Sequence, residues 1–319
     1  LSRPFFNFKQ TVDITGRVTV IWYLLPNLFY NQMTSDGVWE DQAKQINQAG
    51  TTVRADSFRP IGDYAGQVTV VWLQYDSGVG GNMSIFANRI TANGALSPQN
   101  SLIQSLGSDF TYPDMTIDSL GQITLLLKQN DFLNNISKLY AKHMAASGEW
   151  NIGSKLLEQT VAGQDIVFRA PVLNSSGEAT LAWTKRDPSP SYRAKVIYAN
   201  HMTAEGVWND TNSVVDTVTT GPGIDPLSIQ LVADSSGRTT AVWEKEDNIG
   251  NGLYVSRMTS AGIWDTQVKR VDKIGKGYVA QSSWRGIVDS AGQITIVWSQ
   301  YESGASGVQP HHATASPAV

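Results

Sequence analysis

The stretch DSAGQITIVW, residues 289–298, decides the fold of this chain because close variants of it occur six times. The shared pattern is Asp-x-x-Gly-x-x-Thr-x-x-Trp, with Asn replacing Asp in one copy and Leu replacing Trp in another. The copies recur about every 50–60 residues, a period typical of repeat architectures. They are DITGRVTVIW (13–22), DYAGQVTVVW (63–72), DSLGQITLLL (118–127), NSSGEATLAW (174–183), DSSGRTTAVW (234–243) and DSAGQITIVW (289–298).

The third copy shows how one repeat divides into strands. Alternating polar and apolar residues predict a strand over 113–118, and Asp118 to Gly121 predicts a tight turn. A nearly continuous apolar run predicts a second strand over 122–127. We expect a polar loop over 128–137, a third strand over 139–144, and a fourth strand from Trp150 to about Leu157.

The whole chain is therefore predicted to be all-β, a six-bladed β-propeller with four antiparallel strands per blade. A long β-solenoid is the alternative. We expect one domain over 1–319, with repeats at approximately 7–45, 57–103, 110–160, 168–217, 228–272 and 283–319, the last completed by 1–6.

The two ends of the chain suggest how such a ring closes. Val319 aligns with Trp264, so the sequence stops where the fourth strand of the last blade would begin. Residues 1–6 resemble the start of a fourth strand, and Pro4 suits an outermost strand, where one missing N–H is tolerated. We therefore expect residues 1–6 to supply the outer strand of the sixth blade.

Composition excludes several classes of function. The chain has 319 residues, no cysteine, only 16% charged residues and a net charge of −4, so thiolate chemistry, disulfides and a concentrated basic face for nucleic acid are not expected. No apolar run is long enough to span a bilayer. Richness in Gly, Ser, Thr, Asn and Gln favours a secreted, periplasmic or cell-surface protein, and a removed signal peptide or a trimmed end would both explain the initial Leu1.

Residues that recur with the strand pattern are interpreted as scaffold. The repeated tryptophans are expected to pack between blades rather than to stack on sugars, and the Asp-x-x-Gly segments are expected to be turns rather than calcium ligands. His143 and His201 fall at one equivalent position, which we interpret as a solvent-facing polar slot, and His311 and His312 are expected to be exposed. No metal site and no cofactor are predicted.

One feature breaks the repeat. An aromatic residue followed by a basic one precedes the inner strand in four of the six units. If these residues line the central channel, the bases form a partial ring at its mouth that binds carboxylates or phosphates, and the aromatic rings stack on a sugar. In the alternative interpretation the aromatic rings pack and the bases reach solvent. The candidate ligand-binding residues are Lys9, Phe58, Arg59, Arg169, Trp284 and Arg285.

The segments LYVSRMTSAGIWDTQ (253–267) and VDSAGQITIVWSQYESG (288–304) resemble a β-propeller repeat of exported or surface bacterial proteins. This resemblance covers almost the whole chain and implies export and a binding or surface role. A looser resemblance, in length and Trp-rich repeats, is to six-bladed fucose-type lectins, which implies sugar pockets between blades.

No nucleophile motif, zinc motif or phosphate-binding glycine loop occurs, so no catalytic residue is predicted. We therefore expect a non-catalytic exported propeller that binds a cell-envelope protein or a glycan, with its oligomeric state left open. The alternative is a glycan-active enzyme, sialidase-like or lyase-like, with its site at the mouth of the central channel. A deep pocket lined by unique Arg, Glu and Tyr residues would favour the enzyme.

Overall fold

The protein is described by a computed structural model in which the regular secondary structure of the described residues is entirely β. These residues form 25 strands and no helix, which confirms the all-β prediction. The described residues are 7–55, 57–75, 82–107, 113–169, 171–186, 193–218, 221, 223–225, 228–248, 250–272, 279–289, 292–301 and 308–315.

The chain divides into two compact units. Unit 1 comprises Leu1–Phe132 and Leu139–Leu156, and unit 2 comprises Leu133–Lys138 and Leu157–Val319.

The strands form six antiparallel sheets, numbered here in chain order. Sheet 1 contains β1 (Phe8–Val12), β2 (Val18–Leu24), β3 (Asn27–Met33) and β4 (Lys44–Gln45). Sheet 2 contains β5 (Thr52–Val53), β6 (Arg59–Gly62), β7 (Val68–Tyr75), β8 (Met83–Ile90) and β9 (Ser101–Gly107). Sheet 3 contains β10 (Asp114–Ile117), β11 (Ile123–Asp131), β12 (Ile136–Met144) and β13 (Lys155–Gln159).

The remaining sheets repeat this order of strands. Sheet 4 contains β14 (Asp165–Phe168), β15 (Val172–Leu173), β16 (Ala179–Arg186), β17 (Ala194–Met202) and β18 (Ser213–Thr217). Sheet 5 contains β19 (Gln230–Ala233), β20 (Thr239–Asp247), β21 (Gly250–Met258) and β22 (Lys269–Arg270). Sheet 6 contains β23 (Val279–Val288), β24 (Ile294–Tyr301) and β25 (Val308–Ala315).

Each Asp-x-x-Gly segment is a turn between the first two long strands of a sheet, as predicted. Asp118 shows the geometry: its Oδ1 accepts the backbone N–H groups of Leu120 and Gln122 at 2.9 and 2.8 Å. Glycine is needed at the end of the turn. Gly66 has φ +79°, and a Cβ there would lie 2.7 Å from Asp13 Oδ2 of the preceding sheet.

Apolar cores lie between consecutive sheets within each unit. In unit 1 one core joins sheets 1 and 2 and another joins sheets 2 and 3; in unit 2 the cores join sheets 4 and 5 and sheets 5 and 6. Trp72, Trp183 and Trp243 are fully buried, which supports packing over sugar stacking. Trp39, by contrast, is 46% exposed.

Three sheets contain an interrupted or irregular first strand, which the repeat pattern does not predict. In sheet 4 both β14 and β15 pair with β16, and in sheets 2 and 6 a serine bonds across the interruption. In sheet 2 both β5 and β6 pair with β7. Between these two strands, hydrogen bonds from a side chain take the place of the backbone–backbone hydrogen bonds of the sheet. Ser57 Oγ accepts the backbone N–H of Leu73 at 3.2 Å. Ser283 makes the same bond to Ser299 N, at 3.3 Å, across an irregularity between β23 and β24. A serine hydroxyl before the aromatic residue thus accommodates the irregularity.

The predicted polar loop over 128–137 is wrong. Strand β11 continues to Asp131 and β12 begins at Ile136, and Asn135 takes a left-handed φ of +54° next to the turn. The end of this hairpin is exposed, with Leu133 96% accessible, so its residues need no alternating apolar pattern. The fourth strand also begins later than predicted, at Lys155, because Trp150 makes only an isolated bridge to Met144.

In its described part sheet 6 has three strands, β23, β24 and β25. The predicted fourth strand, residues 1–6, lies outside the described residues. Among the described residues, no helix is long and apolar enough to cross a membrane.

Candidate functional site

The six candidate residues of the sequence analysis lie on or beside the first strand of their sheets. In unit 1, Lys9 lies on β1 and its Nζ is 5.3 Å from the ring centroid of Phe58, which directly precedes Arg59 on β6. In unit 2, Arg169 follows β14, and Trp284 and Arg285 lie on β23. The structure thus brings Lys9 together with Phe58.

The aromatic members of this set belong to the cores. Phe58 is fully buried and Trp284 is 4% exposed, so neither ring is accessible for stacking on a sugar. The neighbouring guanidinium groups are oriented by the backbone: Arg59 Nη1 donates to Phe58 O at 3.3 Å and Arg285 Nη1 donates to Trp284 O at 2.7 Å. The aromatic rings of the set are therefore excluded as a surface for sugar stacking.

A second set of polar residues lies between the sheets of unit 2 and was missed by the sequence analysis. Asp216 on β18 accepts from Trp243 Nε1 at 3.2 Å and from Lys245 Nζ at 3.0 Å. Glu158 on β13 makes the equivalent contacts, with Trp183 Nε1 at 3.4 Å and Lys185 Nζ at 3.5 Å. These ion pairs join consecutive sheets.

These ion pairs could have been identified from the spacing of their residues in the sequence. The lysine follows the repeat tryptophan by two residues, and the carboxylate follows the later tryptophan of the preceding sheet by eight. Comparing outer-strand positions across the copies would have found this set, which is Asn47, Gln104, Glu158, Asp216 and Asp272.

Sheet 5 carries a dense cluster of charges around Tyr254. The Tyr254 hydroxyl donates to Asp247 at 2.5 Å, Arg270 donates to both Asp247 and Asp272, and Lys245 Nζ lies 5.1 Å from the Tyr254 ring centroid. Burial, reinforced by Asp247, raises the pKa of Tyr254 to about 12. The bonds to Asp272 raise the pKa of Arg270. Tyr254 is consequently a neutral phenol at physiological pH, a proton donor rather than a base.

A cationic groove opens beside this cluster, between sheets 5 and 6. Its volume is about 340 Å³. The groove has an apolar side formed by Val255, Val271, Ile294, Ile296 and Ala313 and a polar side formed by Thr240, Ser256, Arg257, Asp265, Lys269, Arg270 and Thr314. Its described lining carries three cationic side chains, of which Arg270 is paired with Asp247 and Asp272, and one carboxylate, Asp265.

Arg257 is held in position within the cationic groove. Its Nε donates to Thr240 Oγ1 at 3.3 Å, and its backbone N–H donates to Asp265 Oδ2 at 3.2 Å. Lys269 and Asp265 are exposed. An anionic group entering the groove would meet a fixed guanidinium and a mobile ammonium.

The interpretation of the histidine position as solvent-facing is wrong for both histidines. His143 is 3% and His201 9% exposed. The His201 ring lies beside Gly262, in the turn that follows β21. Burial lowers the pKa of both imidazoles. No group of three or more potential metal ligands occurs among the described residues.

Comparison with known proteins shows no family for this chain. No family model matches the chain, and no curated protein matches it. Among solved structures it is similar to the polysaccharide lyase Uly1, at 10% identity and a TM-score of 0.48, over 95% of this chain and 80% of that one. It is also similar to the α-L-arabinofuranosidase Arb93A from Fusarium graminearum, at 10% identity and a TM-score of 0.44, over 98% and 92%. The Penicillium chrysogenum α-L-arabinanase matches at 9% identity and a TM-score of 0.44, over 97% and 92%.

These comparisons correct one expectation of the sequence analysis. The named structures are a polysaccharide lyase, an α-L-arabinofuranosidase and an α-L-arabinanase, so the expected non-catalytic binding propeller is not retained. At this identity and with TM-scores below 0.5, the similarity assigns no reaction and no residue to this chain.

Proposed function

We propose that this protein is a glycan-active enzyme, and that it holds an acidic glycan in the cationic groove of unit 2. The observation that carries the proposal is that Arg257 and Lys269 line that groove beside an apolar surface. Arginine binds carboxylates and sulfates through two parallel hydrogen bonds, and the apolar side offers a surface for the C–H face of a sugar ring.

The groove favours a lyase-like over a sialidase-like or other hydrolytic reaction. Hydrolysis of a glycosidic bond ordinarily uses a pair of carboxylates, and Asp265 is the sole carboxylate among the described residues that line the groove. β-Elimination from a uronic acid needs a cation to neutralise the carboxyl group, so that the proton on the adjacent carbon can be removed by a base. Arg257 is placed for the first role and Asp265 for the second.

The test is incubation with polygalacturonate, alginate and a sulfated polysaccharide. β-Elimination creates a carbon–carbon double bond that absorbs in the ultraviolet and also a new reducing end, whereas hydrolysis gives the reducing end alone. We expect both signals from at least one polyuronate. Reducing ends without ultraviolet absorbance would refute the elimination, and the absence of both signals would refute the enzyme.

Two variants connect that activity with the groove. Arg257→Gln should reduce activity by at least about tenfold, the loss expected when a charge-assisted hydrogen bond is removed. Lys155→Gln removes an exposed positive charge outside the groove and should leave activity unchanged. Equal activities of the two variants would exclude the groove as the site.

The basic residues beside the first strands form a second candidate site for the same class of ligand. It is supported by the carbonyl contacts that orient Arg59 and Arg285. Replacing Arg59, Arg169 and Arg285 together with Ala should abolish binding of the anionic glycan if it contacts this set. Retained binding would exclude this second site and leave the cationic groove.

We further propose that the six sheets are the blades of a single propeller domain over 1–319, closed by residues 1–6 pairing beside β25. The recurrence of one strand order in sheet after sheet supports it. The repeat resemblance supports export to the periplasm, the cell surface or the medium.

A further inference from the structure

Unit 1 contains a second groove, the amide groove, that differs in chemistry from the cationic groove. It lies between sheets 1 and 2 and has a volume of about 470 Å³, within the roughly 300–1,000 Å³ usual for small-ligand sites. Its described lining residues carry carboxamides, one hydroxyl and apolar groups, and none of them is ionisable. The lining residues are Ile46, Gln48, Gln74, Phe86, Asn88, Leu96, Ser97, Pro98, Gln99 and Asn100.

The amide groove lies where ion pairs fill the equivalent space in unit 2. Gln74 follows Trp72 by two residues, as Lys245 follows Trp243, and Phe86 stacks on Trp72 as Tyr254 stacks on Trp243. In unit 2 the lysine ammonium lies over the tyrosine ring and bonds to the carboxylate of the preceding sheet. In unit 1 the shorter, neutral glutamine leaves this space open.

Gln74 supplies an unused hydrogen-bond donor. It is only 6% exposed, and its Oε1 accepts from Trp72 Nε1 at 3.2 Å. That bond fixes the amide with its Nε2 group directed away from the indole, and within the described part of the chain Nε2 has no partner. Because Gln74 lines the groove, this N–H group is placed to donate to a ligand oxygen.

The second buried amide of the groove, that of Asn88, already has hydrogen-bond partners that fix its position. Asn88 is 5% exposed, and its Nδ2 donates to Ser97 O at 3.2 Å and to Asn100 Oδ1 at 2.6 Å. It therefore fixes the wall formed by Ser97 and Asn100. Gln48 and Gln99 are exposed at the rim and add rotatable amides.

We propose that the amide groove is a binding site for a neutral saccharide, separate from the acidic-glycan site of unit 2. Carboxamides both donate and accept hydrogen bonds, which matches sugar hydroxyls, and the half-buried Phe86 ring with Ile46 and Leu96 provides an apolar surface for ring C–H groups. An ionic ligand would lose its hydration without gaining an opposite charge, so the site selects against it.

The experiment is calorimetric titration of the full chain with four neutral disaccharides (maltose, cellobiose, lactose and xylobiose) and one uronic acid disaccharide. We expect saturable binding of at least one neutral sugar and weaker binding of the uronate in this groove. No binding of any neutral sugar, or preference for the uronate when Arg257→Gln has disabled the cationic groove, would overturn the proposal.

A matched pair of variants assigns the site. Gln74→Met removes the amide and should weaken binding by at least about tenfold. Gln300→Met is the control, because Gln300 accepts from Trp298 Nε1 at 3.1 Å in the same way and lies outside the groove. Equal affinities of the two variants would overturn the assignment.

Two further readouts keep the result unambiguous. The double variant Gln48→Ala with Gln99→Ala changes exposed residues only, so it tests the rim even if Gln74→Met fails to fold; unchanged affinity of this double variant would also overturn the assignment. Arg257→Gln should leave neutral-sugar binding intact while reducing cleavage of the acidic glycan, so this proposal and the proposed activity can fail separately.

Discussion

Replacing Asp216 with Asn should destabilise unit 2 strongly, because it breaks a buried ion pair while preserving shape. The Asp216 side chain is 6% exposed and its partner Lys245 15% exposed, so solvent compensates neither group well. Removing one member of a buried pair costs about 3–5 kcal/mol. The amide oxygen of Asn can still accept from Trp243 Nε1, and the Tyr254 ring still faces the ammonium. The expected loss is therefore at the lower end, about 3 kcal/mol.

The double variant Asp216→Asn with Lys245→Gln distinguishes the charge from the packing. It replaces the ion pair with two amides, the residue types found at the equivalent positions of unit 1, Asn47 and Gln74. Since no charge is left uncompensated, the expected loss is only about 1 kcal/mol. The double variant should thus be more stable than Asp216→Asn alone.

Urea unfolding at pH 7, followed by tryptophan fluorescence, measures both changes, since Trp243 is fully buried and contacts the pair. In a thermal melt the single variant should unfold at a temperature lower by about 6 °C, taking roughly 2 °C per kcal/mol for a chain of this size. A loss below about 1 kcal/mol for Asp216→Asn would refute the argument. So would additive losses in the double variant, which would mean that the two side chains do not interact.

Three further predictions concern the fold. Deleting residues 1–6 should lower the melting temperature by several degrees if they complete sheet 6, and an unchanged melting temperature would refute the proposed closure. Burial lowers the folded-state pKa of His143 and His201 below the ordinary 6.5, so stability should fall as pH drops through about 6.5 and should level off below the folded pKa values. The variants His143→Gln and His201→Gln should lose less stability on acidification than the unsubstituted protein. Melting temperatures measured across pH that fall equally in all three proteins would contradict this. Gly66→Ala should cost at least about 1 kcal/mol in urea unfolding, from its positive φ and the contact with Asp13, and a neutral result would show that the turn relaxes.

More of the fold than of the site could be predicted from the sequence, because the repeat pattern specifies the conformation of the backbone. A glycine after an Asx turn and a buried aromatic residue six positions later impose the same hairpin on each copy, whatever the rest of the sheet contains. The hairpin around Asn135 escaped prediction for the opposite reason. Its residues are exposed on both sides, so hydrophobicity does not distinguish strand from loop there.

The candidate residues were harder to assign because burial depends on what the neighbouring sheet provides. Phe58 and Trp284 precede bases in the sequence, and only the packed cores show that their rings are inaccessible. His143 and His201 were placed in solvent because a buried polar residue on a strand has the same local sequence as an exposed one. No pattern within one repeat contains this information.

The amide groove follows from a pair of positions in different repeats. A lysine after the repeat tryptophan and a carboxylate on the preceding sheet fill the equivalent gap between sheets 4 and 5, as Lys245 and Asp216 do. Glutamine and asparagine at those positions, Gln74 and Asn47, cannot fill it in the same way, and a groove lined by an amide donor results. Ligand specificity therefore varies where copies differ at these two positions, while the turns and tryptophans keep the fold constant, because the invariant residues are committed to packing and backbone bonds.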